Sequence, residues 1–174
     1  MKFFLVLFLL ISSQAFAQQQ VESKYVRFKT PGVLSAIPKT PLKTNPETDK
    51  ILNLMRNDIQ AGHRFLSTGS IKFFQYIDTA VSVGSGYIPR IKGILDNMST
   101  FEGAKIPGYS SKVKDFNNLY ALITTSDIDD IRRYNIFMVN KSYNRLFSSI
   151  ILVVKNDPLA ENAVNDLLNS VTFK

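Results

Sequence analysis

His63 is the only histidine in the chain, and there is no cysteine. Those two counts remove most of the usual catalytic chemistry. Cys–His catalysis and metal sites built on Cys or several His cannot be assembled within one chain. A Ser-His-Asp triad would have to use His63, which stands beside Arg64. A cationic neighbour disfavours the imidazolium that a general base must become. No G-x-S-x-G segment supplies a nucleophile elbow. His63 therefore reads as a surface or helix-end residue, just after a Gly62 helix stop.

Two glycine segments approach phosphate-binding spacing. Gly103 and Gly108 enclose Ala104-Lys105-Ile106-Pro107, but Tyr109-Ser110 stands where a Lys-Ser/Thr pair would reach phosphate and metal. Pro107 also removes one amide donor. Gly84-Ser85-Gly86 lacks the third glycine of a dinucleotide turn, because Pro89 takes its place. Both read as ordinary turns.

Asp127, Asp129 and Asp130 suggest calcium, yet the EF-hand pattern fails, with Ile131 and Tyr134 in place of ligands. A Ser126 cap with acids in a short helical turn is the simpler expectation. Carboxylates distant in sequence can meet for glycoside hydrolysis, but nothing selects a pair. Phe73, Phe74, Tyr76 and Tyr87 concentrate in one segment. They suit core packing, or a pocket for an apolar ligand.

The elements that would position these residues are clearest near the C-terminus. Residues 119–125, 134–139 and 146–154 read as strands, the last with a continuous apolar run from Ile150 to Val154 that suits a central, doubly covered place. Residues 127–132 read as a polar link or helical turn, and 141–144 as a turn. Asn156 or Asp157 caps a helix with Pro158 in its first turn. Its buried stripe is Leu159, Ala160, Ala163, Val164, Leu167 and Leu168, with Glu161, Asn162, Asn165 and Asp166 facing water. Residues 171–173 form an extended tail.

Earlier, residues 25–29 alternate as a strand, and four prolines punctuate residues 31–46. Thr44 and Glu47 fit a capping box for a helix bearing Ile51, Leu52, Met55 and Ile59 on one face. Ile71, Phe74, Ile77 and Val81 could line a helix, and Ile91, Ile94, Leu95 and Met98 a second one from Pro89. Short links favour antiparallel pairing. The expected class is α+β, an antiparallel sheet with helices packed on it.

The N-terminus carries an export pattern: Lys2, an apolar run over residues 3–11, then Ala15-Phe16-Ala17. Ala15 and Ala17 supply the small side chains that signal peptidase accepts at its −3 and −1 pockets. The run is short for a membrane span, which takes about 20 residues. Cleavage of residues 1–17 would leave Gln18 first, a loose leader over 18–24, and one domain over 25–174. The expected location is the periplasm or the medium of a bacterium, without cofactor or metal. Net charge is +7, with the lysines scattered among acids. That distribution reads as a solvated basic surface rather than a nucleic-acid site.

The layout resembles the PsbP/Mog1 group. Residues Val26-Arg27-Phe28-Lys29-Thr30-Pro31-Gly32 resemble that group's strand entering a Pro-Gly turn. The strand pair, the amphipathic helix and Leu167-Leu168-Asn169-Ser170-Val171-Thr172-Phe173 are similar to its ending. The resemblance implies an α/β/α sandwich used as a binding or accessory module without catalysis. The expected function is an exported, non-enzymatic accessory or binding protein with a protein partner. The alternatives are a carrier or sensor of a small apolar ligand and a carboxylate-based hydrolase.

Overall fold

A computed structural model describes residues 18–32, 35–36, 63–66, 69–101, 103–116 and 118–174. The fold is α+β and its strand pairings are antiparallel. The strands are β1 (Gln20–Glu22), β2 (Val26–Lys29), β3 (Ser35–Ala36), β4 (His63–Leu66), β5 (Ile71–Thr79), β6 (Thr100–Phe101), β7 (Ala104–Lys105), β8 (Ser110–Phe116), β9 (Leu119–Ile128), β10 (Ile131–Asn140), β11 (Leu146–Val154) and β12 (Thr172–Phe173). The helices are α1 (Tyr87–Met98) and α2 (Pro158–Ser170). The main sheet runs β3-β4-β5-β11-β10-β9-β8, and β1-β2-β12 form a smaller one.

β11 lies at the centre of the main sheet, where its apolar run meets cover on both faces. Ile151, Leu152 and Val153 are all buried. Alternation then sorts the sheet into two faces. One carries Phe74, Tyr76, Ala121, Ile123, Ile136, Met138, Phe147 and Ile151, packed with Val164, Leu167 and Leu168 of α2 and with Val26 and Phe28 of β2. Phe28 meets Phe74 and Tyr76 edge-on at 6.0 and 4.9 Å. The other face presents Leu122 and Val139 to Ile88 of α1, with Ile91 and Leu95 beside them. Helices thus lie on opposite sides of one sheet.

α2 begins where its sequence says it should. The Asp157 side chain accepts from Leu159 N at 2.9 Å, and Pro158 fills the first turn. Ala160, Val164, Leu167 and Leu168 are buried, Ala163 is half-buried, and Leu159 is 55% exposed. The stripe is therefore narrower by one residue at its start.

Three expectations are corrected. Residues 71–79 form a strand, not a helix, because β5 is buried on both faces: Phe73 and Gln75 alternate with Phe74 and Tyr76. Residues 127–132 are not a helical turn but the tip of the β9–β10 hairpin, with Ile128 opposite Ile131. The leader is not loose throughout, since Gln20–Glu22 pair with β2. The tail also forms a strand, β12, on the other edge of β2. β8 belongs to a stretch with no expected element. The helix over 45–62, its Thr44/Glu47 capping box and the export segment with Ala15 and Ala17 lie outside the described residues.

Candidate functional site

Among the described residues the densest charge cluster gathers at the tip of the β9–β10 hairpin. The turn is Asp129-Asp130, with Asp129 at φ 54°, a left-handed conformation that Asp adopts more readily than most residues. Closing the hairpin there sets Asp127 directly opposite Arg132. Arg132 Nε and Nη2 donate to the two Asp127 oxygens at 2.9 and 3.2 Å. Lys155, just past β11, reaches Asp127 Oδ2 at 2.9 Å, and Arg132 Nη1 lies 3.5 Å from Glu161 of α2. The Asp127 side chain is only 6% exposed.

A second segment closes on the same carboxylate. Asp127 N donates to Pro107 O at 2.7 Å, and Thr125 Oγ1 donates to Gly108 O at 3.0 Å. Gly108, at φ 62°, lies flat against the Asp127 side chain. The 103–109 segment is thus a buttress. Gly103 turns the β6–β7 hairpin, while Ile106 N and Tyr109 N donate to Ser99 O and Ile106 O. Those two amides are committed internally and are not offered to a phosphate.

Bonding from Arg132, assisted by Lys155, holds the Asp127 carboxyl down at about 2. A carboxyl that acidic is unsuited to general-acid work near neutral pH. The arrangement is an ion clamp between two hairpin strands, the chain after β11 and α2. Because the folded value lies below the unfolded one, the clamp stabilises fully above about pH 4. Its contribution is lost as pH falls through about 2. Asp127→Asn should lower stability by about 2 kcal/mol at pH 7, leaving two cations side by side. Its denaturation midpoint should also fall less than wild type's between pH 5 and 2. Identical slopes would show that the clamp carries no acid dependence.

Other candidate residues take structural places. Gly84 turns at φ 71° and Gly86 caps α1. His63 opens β4 instead of closing a helix. It is exposed and stacks on Tyr76 at 4.8 Å. Phe73, Phe74 and Tyr76 are buried in the sheet, and Tyr87 lies half-buried at the start of α1. A groove of about 350 Å³ between β1–β2 and the end of α2 is lined by Gln18, Arg27, Lys29, Asp166 and Ser170. Phe28 adds an apolar ring to these polar walls. The shifted carboxylates among the described residues are all lowered. Lys174 and Arg27 lower Glu22, Lys92 and Tyr109 hold Asp96 at about 2, and Ser70 lowers Asp157.

The feature that sequence reasoning missed is β8. It is the last strand of the main sheet, and Lys112, Val113, Lys114 and Asp115 are all exposed. Among the described residues nothing pairs with its outer edge. Its alternating Lys112-Val113-Lys114 was the available signal, too short and too polar to mark a strand. No family model matches the chain, and a search of curated proteins finds no relative.

Proposed function

We propose that this protein is an exported, non-enzymatic accessory or binding protein that acts through its surface in the periplasm or outside the cell. The observation that carries the reading is the outer edge of β8, seven residues long, at the end of a seven-stranded sheet and unpaired among the described residues. An unpaired edge presents a row of backbone donors and acceptors on which another chain can form hydrogen bonds. The charged clusters, by contrast, bind one another: Asp127 with Arg132 and Lys155, Asp96 with Lys92 and Tyr109, Asp115 with Lys141. Helices on opposite faces of an antiparallel sheet agree with the layering that the PsbP/Mog1 likeness implies. No helix among the described residues is long and apolar enough to cross a membrane.

Export rests on the residue 1–17 pattern. The fold adds that Gln20 already pairs with Lys29, so a chain cut after Ala17 would begin two residues before its first strand. Protein purified from its own cell envelope and weighed by native mass spectrometry tests both parts. The expected species starts at Gln18 and retains a partner. A membrane-bound product keeping residues 1–17 would overturn export, and a protein alone under all gentle conditions would overturn the binding role.

A further inference from the structure

The binding reading leaves the partner's chemistry open, and the side chains of β8 narrow it. Register places Lys112 opposite Ile123 and Lys114 opposite Ala121, both on the face that α2 covers. Val113, opposite Leu122, points to the α1 face and is 49% exposed. Among the described residues no carboxylate pairs with Lys112 or Lys114. Asp115, the acid of this edge, pairs with Lys141, whose ammonium also lies 3.6 Å from the Tyr120 ring centroid. The edge therefore offers two uncompensated cations on one face and one apolar side chain between them on the other.

In the register centred on Val113 that pattern opposes a second copy of itself. Opposed residues of an antiparallel pair share a face. Two β8 strands centred on Val113 would set Lys112 against Lys114 of the other copy, twice over. Like charges directly opposite destabilise a strand pair, and opposite charges stabilise it. Resting on the binding reading above, we infer that β8 accepts an extended acidic segment of a partner protein as an eighth strand. That segment carries Glu or Asp at alternate positions beside Lys112 and Lys114, with an apolar residue between them beside Val113. Backbone hydrogen bonds supply the grip, and the alternation sets the face.

The probe is a synthetic peptide alternating Glu and Val, compared with its Lys–Val counterpart, added to the protein at low salt. Hydrogen exchange of the 110–116 amides is the readout. The Glu peptide should slow exchange of alternate β8 amides at least tenfold, and the Lys peptide should not. Charge reversal by Lys112→Glu with Lys114→Glu should exchange the two preferences, and neutral Lys112→Gln with Lys114→Gln should abolish both. Because these side chains are exposed, the variants should keep the wild-type circular dichroism spectrum. Protection that falls elsewhere, an unchanged preference after reversal, or no protection at millimolar peptide would overturn the proposal. So would a wild-type dimer through β8 in sedimentation. A partner retained from the envelope while β8 stays silent would sink this inference and leave the binding reading standing.

Discussion

Leu167→Asp should unfold the protein or bring it close to unfolding. Leu167 is fully buried in the last turn of α2, against the face that carries Ile136, Met138 and Ile151. Removing its side chain from that core is worth about 2–5 kcal/mol. The substitute carboxylate must in addition be desolvated or protonated there. A loss of at least about 4 kcal/mol is expected, against a total stability of about 5–15 kcal/mol for a domain of this kind. Two controls fix the helix face. Asn165→Asp, on the exposed side, should stay within about 0.5 kcal/mol of wild type. Leu159→Asp tests the point where structure and pattern part, because Leu159 belongs to the apolar doublets but is exposed in the first turn. An acid there also suits the positive helix end. Chemical denaturation reads all three, and a severe loss from Leu159→Asp would show that the stripe does begin at that residue.

Gly108→Ala should be more damaging than the same change at Gly32, Gly84, Gly86, Gly93 or Gly103. A Cβ at Gly108 would fall far inside van der Waals contact of Cγ and both oxygens of Asp127. The backbone there is also left-handed, which disfavours any L side chain by about 1–2 kcal/mol. Asp127 cannot swing away freely, because Arg132 and Lys155 hold it. The expected loss is about 3 kcal/mol, from strain and a loosened ion clamp together. Gly103→Ala is the comparison, with similar positive φ but nothing within 4 Å of its added Cβ. It should lose only the conformational part. Equal losses at the two glycines, read from thermal melts, would mean that contact with Asp127 is unimportant.

The regions that could be read from sequence share a physical property. β11 and α2 each bury a contiguous local pattern: an apolar run for a central strand, doublets four residues apart for a helix on a sheet. Their boundaries carry punctuation as well, in Asp157 and Pro158. β5 defeated the same reading because burial on both faces erases alternation. Ile71, Phe74 and Ile77 happen to fall at helical spacing. β8 failed for the opposite reason, since an exposed edge strand needs few apolar residues and shows almost no pattern. β1 and β12 exist only through pairings with β2, which no local window contains. The Asp127 clamp was half visible. The acids were noticed, but their partners Lys155 and Gly108 are neighbours only after the sheet forms.

The placing of β2 between β1 and β12 also bears on when this protein can finish folding. Arg27 finds its partner in Thr172, and Val26 in Phe173. Lys174 then fastens to Glu22 at 2.9 Å. The loop closed by these contacts spans nearly the whole described chain, a closure that is slow relative to local hairpins. Synthesis delivers residues 172–174 after all the other described strands. Until they arrive, β2 has one edge bare, and Val26 and Phe28 lack the final part of their cover. A growing chain can therefore build β9, β10 and β11 early while its two ends stay unlatched. Residues 172–174 act as the clasp for residues 22–27.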